Sequence, residues 1–571
     1  MSGKRFLVVI ETQRVKGYVF ASPILRETRG ASLLLDRLNR RTTRRLLRSF
    51  SSAEVDELYL GGGSGRILFH TKVAAVAFQQ KLKVLYQRKT VNARVSVEVV
   101  ERRTGETFVE WMSRGVWESQ SNKLARTDAV PFIAGRWIRS CSSCGVEPAC
   151  FHTGDIQGEH FLCTSCLRKR EEVARFYRKT KRNWGSEVPL PAVAHLKVSH
   201  PDFILTTLAE KLQDGSGKEL KINLPQDFNQ IADHSQPRNY IGFIYADGNR
   251  MGEAMKEIDR KFKDEDVPKA YTAFSSIVDQ ATRKAAVHAV ISEIGVQQAV
   301  TARQEAALFV PAEFVLAGGD DLILVVPAHL ALRVAAKFIA LFQAYTKQLQ
   351  TDWIRDKKLT CYFAKQGLTT SAGVVIAHAS YPASQLMDLA GGLMKLAKRK
   401  ASDLAEEAVQ DKKEELLEGT LDFMVLHSAG SERSVERRKV EYATLTGGGR
   451  SVSLTERPYT ATKMEQMLDC IAALKNEGVP RTKLKALYTA LFQPALQAQF
   501  DALRIKERLK ATGQLAENSA LARVINELPH FPFREDSTRG GGWTTPLSEL
   551  IELYDFIPAG FGRSFEGDGN A

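Results

Sequence analysis

The chain is poor in cysteine, with seven in 571 residues, which excludes a fold stapled by disulfides and suits a reducing, cytoplasmic setting. No stretch approaches the roughly 20 apolar residues that a membrane-spanning helix needs. The apolar run near the start, Phe6 to Ile10, is too short for a secretory signal and continues directly into strand-like sequence. Positive charge, by contrast, is in excess: 80 Lys and Arg against 66 Asp and Glu give a formal net charge of +14. The surplus crowds at Arg37, Arg40, Arg41, Arg44, Arg45 and Arg48, and again between Arg168 and Arg182. One such run is an ordinary solvated helix face; two in a basic chain favour a polyanionic partner.

The most informative segment is Phe314-Val315-Leu316-Ala317-Gly318-Gly319-Asp320-Asp321-Leu322-Ile323-Leu324-Val325-Val326. Two apolar strands meet at a diglycine turn whose tip carries adjacent carboxylates, and like charges so placed repel unless a cation neutralises them. The pattern predicts magnesium or manganese held by Asp320 and Asp321, with Gly318 and Gly319 letting a phosphate chain approach the backbone. A calcium-stiffened turn is the structural alternative. Upstream, a strand over Ile241 to Ala246 ends in Asp247-Gly248. In a βαββαβ sheet that strand end lies beside the hairpin turn, so Asp247 joins Asp320 and Asp321 as a metal ligand, with the Gly248 carbonyl as a further oxygen.

The element order around this hairpin occurs twice. The first copy has a strand at Phe6 to Ile10, a helix over residues 24 to 48, a hairpin through Gly61-Gly62-Gly63-Ser64-Gly65, a helix over 73 to 87 and a strand over 93 to 99. The second has a strand at 241 to 246, helix over 252 to 307, the Asp-Asp hairpin, a helix over 328 to 350, a strand over 369 to 377 and a helix through Leu386 and Leu396. Superposing Gly61–Phe69 on Ala317–Val325 sets Ser64 and Gly65 at the places of Asp320 and Asp321, and Glu11 opposite Asp247. The first copy then keeps the glycines without the acids. Lys398, on the last helix, reads equally as a charge-compensating cation for a triphosphate and as a surface lysine.

Between the copies, Cys141-Ser-Ser-Cys144 and Cys163-Thr-Ser-Cys166 form two Cys-x2-Cys knuckles with the spacing of a closed, structural zinc site. Cys150, His152 and His160 lie within the loop as second choices. After residue 405 helical sequence is expected, with Leu417, Leu421 and Leu426 and a leucine-rich run from Met464 to Leu491. Gly447–Gly449 and Gly540–Gly542 mark loops. The fold class is therefore α+β, with a first ferredoxin-like βαββαβ unit at 1–138, a zinc-knuckle and linker unit at 139–236, a second such unit at 237–405 and a helical domain at 406–571.

With these pieces placed, the chain resembles the large palm-domain subunit of type III CRISPR effector complexes, of Csm or Cmr type. The resemblance rests on Asp247-Gly248-Asn249-Arg250-Met251-Gly252, Gly318-Gly319-Asp320-Asp321, Ser371 to Ala377, Ala397-Lys398, the four-cysteine knuckles and Arg457-Pro458-Tyr459. It makes the two βαββαβ units a first and a second palm. It implies that ATP is joined into cyclic oligoadenylates at the second palm when target RNA is bound, and that Gly62, Gly63 and Ser64 hold a nucleotide without doing chemistry. It also implies guide RNA, target RNA and other effector subunits as partners. Asn249 stands where the family usually carries a second acid. No histidine-aspartate nuclease segment precedes the first palm, so that activity is not expected. Rival readings are a non-enzymatic RNA-binding scaffold and a stand-alone nucleotide cyclase.

Overall fold

The computed structural model describes residues 5–51, 54–125, 137–155, 158–184, 221–223, 225–295, 297–300, 306–410, 417–426, 435, 442, 452–513, 515–516, 519–536 and 542–560. The glycines at 447–449, 540 and 541 lie outside them, as do the side chains of Arg178, Lys179, Lys181 and Arg182.

The first palm comprises β1 (Phe6–Gln13), α1 (Val15–Val19), α2 (Leu25–Arg37), β2 (Val55–Gly61), β3 (Ser64–Phe69), α3 (Lys72–Thr90) and β4 (Arg94–Glu101). Its antiparallel sheet has the order β2-β3-β1-β4. Successive residues of β1 face opposite sides, and both sides are buried: Leu7 and Val9 enter one core, Phe6, Val8 and Ile10 the other. That explains why the segment reads as an unbroken apolar run. The helix expected over 24 to 48 is interrupted after Arg37 by a π-helical turn, Leu38–Thr42, before a short α-helix, Thr43–Leu47.

The insert contributes a hairpin, β5 (Phe151–Asp155) with β6 (Gly158–Leu162), and α4 (Thr164–Trp184). Helix α4 crosses α2 so closely that a Cβ on Gly30 would lie 2.0 Å from the Lys169 carbonyl oxygen. Glu27 of α2, fully buried, accepts from the Ser143 hydroxyl at 2.9 Å and from Arg170 at 2.5 Å. The insert is thereby docked on the first palm.

The second palm repeats the plan with β7 (Tyr240–Gly248), α5 (Met251–Lys261), α6 (Val267–Glu293), β8 (Glu313–Gly318), β9 (Asp321–Pro327), α7 (Ala331–Arg355), β10 (Thr370–His378) and α8 (Ala383–Gln410). The expected helix over 252 to 307 is instead two helices, α5 and α6, the second carrying Pro268 in its first turn, where a missing backbone N–H costs nothing. Short strands at Gln297–Val300 and Ala306–Phe309 follow. The sheet order is β8-β9-β7-β10, matching the first palm, and two further strands extend it: β11 (Thr420–Val425) and β12 (Tyr459–Thr460). The helix expected through Leu421 is thus a strand. Every residue of Thr420–Val425 is buried, the polar Thr420 and Asp422 included, and six residues are too few for their period to separate a buried strand from a helix. Beyond residue 460 the chain is mainly helical, with Ala461–Asn476, Arg481–Leu491, Ala495–Ala511, Ala520–Asn526 and Leu547–Tyr554.

Strand registers fix the correspondence between the palms. Gly61 pairs with Ser64 as Gly318 pairs with Asp321, and β2 and β8 are each irregular at the same place, Leu58 and Val315. Gly63 therefore matches Asp320 and Ser64 matches Asp321, one residue off the alignment made from sequence. The extra glycine at 65 made the two registers indistinguishable in the one-dimensional pattern. On the neighbouring strand, Glu11 opposite Ser64 corresponds to Asp247, since Gly65 pairs with Ile10 as Leu322 pairs with Ala246. Arg14 and Arg250, each three residues on, both take left-handed backbone angles (φ 49° and 52°) at the start of the next helix. Ser96 and Ser371, facing Glu11 and Asp247 across the sheet, are also equivalent.

Candidate active site

The two glycine turns face each other. A Cβ on Gly62 would lie 3.2 Å from the Gly319 Cα, and one on Gly319 would lie 3.5 Å from the Gly62 Cα. Both residues have positive φ, 57° and 63°, so glycine serves the turn and the close approach together. Behind the turns, Arg40 of the π-helical turn reaches across: its guanidinium donates to Asp279 of α6 at 2.5 and 3.1 Å and to Asp36 at 2.9 Å. Asp279 also accepts from the Gly319 N–H at 2.9 Å, and the Thr282 hydroxyl donates to the Gly319 carbonyl at 2.6 Å. Burial opposes ionisation of Asp279, but Arg283 and Arg40 outweigh it and hold this carboxyl far below its usual range. A further cross-palm ion pair, Arg29–Glu313 at 2.5 Å, is buried.

At the tip, a Cβ on Gly248 would lie 2.9 Å from the Asp320 Cβ and 2.0 Å from the Met251 Cε. Only glycine lets β7 end this close to the hairpin. Asp247 is hydrogen-bonded by Lys398 at 2.7 Å, and Asp321 by the Tyr245 hydroxyl at 3.1 Å. Lys398 is brought there by α8, which lies on β10 where Gly373 leaves no room for a side chain: a Cβ would lie 2.0 Å from the Ala390 carbonyl. Loss of water around the recessed turn, then the charges of Asp247 and Asp321, push the Asp320 carboxyl up to about 7. Asp321 is pushed up to about 6 by burial and Asp247, with Lys16 and Tyr245 acting the other way. Such mutual repulsion is what a divalent cation would relieve.

The carboxylates are neighbours without collapsing onto one point. Among the described residues, only Cys141, Cys144, Cys163 and Cys166 bring three or more ligand atoms within 4.8 Å of one another. Hydrated magnesium keeps several waters and suits the wider acidic space. Asn249 is turned to the structure instead: its Nδ2 donates to the Thr369 hydroxyl at 3.2 Å, while its buried Oδ1 has no partner among the described residues. In the first palm the corresponding groups are paired with neighbours of their own sheet: Glu11 with Arg66 at 3.3 Å and Ser64 with the Tyr59 hydroxyl at 3.0 Å.

The cysteine cluster fits zinc. Cys144 and Cys163 Sγ atoms are 3.9 Å apart, near the ~3.8 Å edge of a tetrahedron built on ~2.3 Å Zn–S bonds. The Cys163 and Cys166 thiols pull Cys144 far below its ordinary value, whereas Cys163 is pushed up to about 12, chiefly by Cys144. Four such thiols share protons unless a cation takes their place. Backbone N–H groups of Ser143 and Cys166 donate to the Cys141 and Cys163 sulfurs. Cys150 is exposed and His152 stacks on Phe161, so neither joins the cluster.

Part of the arginine runs is spent internally. Arg37 pairs with Glu172, Arg40 with Asp279 and Arg44 with Glu57, while Lys169 and Arg170 are buried. Arg41, Arg45 and Arg48 are exposed. Sequence reasoning missed Lys16, Arg40, Tyr245 and Asp279. Only Tyr245 left a signal, lying two residues before Asp247 on the same face of a strand.

Residues 240–405 match the family model described as Cas10/Cmr2, second palm domain. Comparison with the curated proteins gives no match. Among solved structures, Csm1 in T. onnurineus is 13% identical with a TM-score of 0.49, covering 98% of this chain and 70% of that one. A Csm1–Csm4 cassette in complex with cA4 is 14% identical with a TM-score of 0.40, covering 70% of this chain and 53% of the matched one. The Csm1–Csm4 subcomplex in the type III-A CRISPR-Csm interference complex is 16% identical with a TM-score of 0.40, covering 69% and 53%. The chain thus matches about half the length of the cassette chains. Among the described residues, no helix is long and apolar enough to cross a membrane.

Proposed function

Starting from residues 240–405 as a Cas10/Cmr2 second palm domain, we propose that the chain is a large subunit of a type III CRISPR effector that joins ATP into cyclic oligoadenylates. The observation carrying this reading is the asymmetry of the facing turns: Gly318-Gly319-Asp320-Asp321 stands beside Asp247, while Gly61-Gly62-Gly63-Ser64 has no acidic tip. In this reading Asp247, Asp320 and Asp321 bind magnesium or manganese. A divalent cation held there would supply charge neutralisation for the triphosphate and polarisation of the reacting phosphoryl group.

The residues of the chain do the positioning. The Gly318-Gly319 backbone admits the phosphate chain, and Asp279, through the Gly319 N–H, fixes the turn that carries the acids. Gly62, Gly63 and Ser64 hold the second nucleotide against the first. Gly248 permits the approach of β7, and Lys398 supplies positive charge beside Asp247. A zinc ion on the four cysteines stiffens the insert docked on α2. Exposed Arg41, Arg45 and Arg48 offer phosphate contacts to guide or target RNA.

A second reading, a non-catalytic scaffold of such a complex, is favoured by Asn249 in place of an acid. Labelled ATP and magnesium supplied to the purified chain, alone and with its effector partners, guide RNA and complementary RNA, separate the readings. Oligoadenylate that disappears in the Asp320→Ala, Asp321→Ala double variant supports the enzyme; no oligoadenylate under any condition leaves the scaffold. Product formed equally without RNA would indicate a stand-alone cyclase.

A further inference from the structure

The second palm's acids are faced by a cation from the first palm. Lys16 lies on α1, and its Nζ donates to the Tyr245 hydroxyl and sits 3.9 Å from the centre of the Tyr245 ring. Tyr245 in turn donates to Asp321. Lys16 also lines the cleft between the palms together with Gly62, Gly63, Gly318 and Asp321. Its charge interacts favourably with Asp321 and Asp247 and unfavourably with Lys395 and Lys398, so two palms contribute cations to one acidic space.

The internal repeat shows that this placement is one-sided. With Glu11 matching Asp247 and Arg14 matching Arg250, Lys16 falls at the place of Gly252. The palm with acids therefore receives a lysine from its partner palm, while itself carrying a glycine at the equivalent place. A strut between the palms would serve either side equally; a half-buried ammonium only on the side of the carboxylates follows charge complementarity. Asp247 and Asp321 already meet Lys398 and Tyr245, and an arriving divalent cation would repel Lys16 from the acids. The anion able to hold Lys16 in the cleft at that point is the phosphate chain accompanying the cation.

We infer that Lys16 is a phosphate-binding residue of the second palm's site, supplied from the first palm, whose ligand is the polyphosphate of a metal-bound nucleoside triphosphate. This rests on the nucleotidyl-transfer reading of Asp247, Asp320 and Asp321. The test is calorimetric titration of the full chain with magnesium and a non-hydrolysable ATP analogue, and separately with adenosine, comparing wild type, Lys16→Met, Lys16→Arg and the Asp320→Asn, Asp321→Asn double variant. Loss of one charge-assisted phosphate contact should weaken Lys16→Met for the analogue about tenfold or more, with Lys16→Arg recovering most of the affinity. Adenosine affinity and melting temperature should be unchanged. Analogue affinity equal to wild type in Lys16→Met, or equal loss in Lys16→Arg and Lys16→Met, would overturn the assignment. If the double Asn variant loses the analogue while Lys16→Met keeps it, only the lysine assignment fails. If the double Asn variant binds it as wild type does, the reading of the acidic site fails with it.

Discussion

Arg40 and Asp279 join the two palms through a two-point contact, with nitrogen–oxygen distances of 2.5 and 3.1 Å, directly behind the facing glycine turns. Because Asp279 also holds the Gly319 N–H, the carboxylate-bearing turn is anchored to an arginine in the other palm. Arg40→Met should remove this anchor and leave Asp279 with Arg283 alone. We expect a stability loss of about 3 kcal/mol by denaturant titration, the low end for a broken buried ion pair, because Arg283 still compensates Asp279. Nucleotide turnover should fall further than stability accounts for at a temperature where the variant is folded. Unchanged turnover in folded Arg40→Met would separate the anchor from the chemistry.

The facing turns make a second expectation. Gly62→Ala adds a methyl group 3.2 Å from the Gly319 Cα at a backbone angle of φ +57°. It should cost about 1 kcal/mol for the left-handed conformation alone, plus the displacement of the opposite turn. Gly154→Ala, which meets nothing within 4 Å, is the control and should melt within a degree or two of wild type. Equal melting temperatures for the two variants would show that the turns can part freely.

Replacing the acids should have opposite effects on activity and on stability. Asp320→Asn and Asp321→Asn each remove a recessed charge that repels its neighbours, so the metal-free protein should melt higher while losing oligoadenylate synthesis. Differential scanning calorimetry in chelator reads the first effect. A lower metal-free melting temperature in both variants would contradict it.

The same charges set a pH dependence. Asp320 at about 7 and Asp321 at about 6 lie above the ordinary aspartate value of 3.8, so the folded state keeps protons that the unfolded chain has released. Stability contributed by these protons is present at low pH and is lost as pH rises through the folded values. Magnesium bound at these carboxylates would take the place of the protons. The melting-temperature gain on adding magnesium should thus be small near about pH 5 and grow through about pH 7. A gain of the same size across that range would place the metal elsewhere.

Zinc removal supplies a fifth test. Chelation in the unfolded protein should release one zinc per chain, and the zinc-free protein should lose the docking of Ser143 and Arg170 onto Glu27. Proteolysis near the Cys141–Cys166 segment should quicken before the second palm is attacked. No zinc by metal analysis, with the knuckles still resistant, would make the cluster a thiol core.

What the sequence made legible was short-range. Gly318-Gly319-Asp320-Asp321 and the two Cys-x2-Cys knuckles carry their geometry within a few residues, so their placement followed from spacing. The correspondence between hairpins slipped by one because Gly61 to Gly65 offers several equivalent registers, and only cross-strand pairing with Glu11 selects one. Thr420–Val425 is short and buried on both faces, with Thr420 and Asp422 among its residues, so its period did not separate strand from helix. Asp279 and Lys16 acquire their positions from partners more than two hundred residues away in the chain, Arg40 and Tyr245. Part of the charge of the arginine runs is taken up by Glu172, Asp279 and Glu57, which lie in other elements and leave no mark on the local sequence.

The meeting of Gly62 with Gly319 has a consequence for what the molecule is free to become. In a homodimer with a two-fold axis through the turns, every substitution would appear on both sides of the cleft at once. Two acidic tips would then oppose each other, and a lysine facing one would face both. With both halves on one polypeptide, each side can mutate alone while its counterpart stays tethered at high effective concentration. The carboxylates at 320 and 321 and the lysine at 16 are residues that an exact symmetry would have forbidden from diverging.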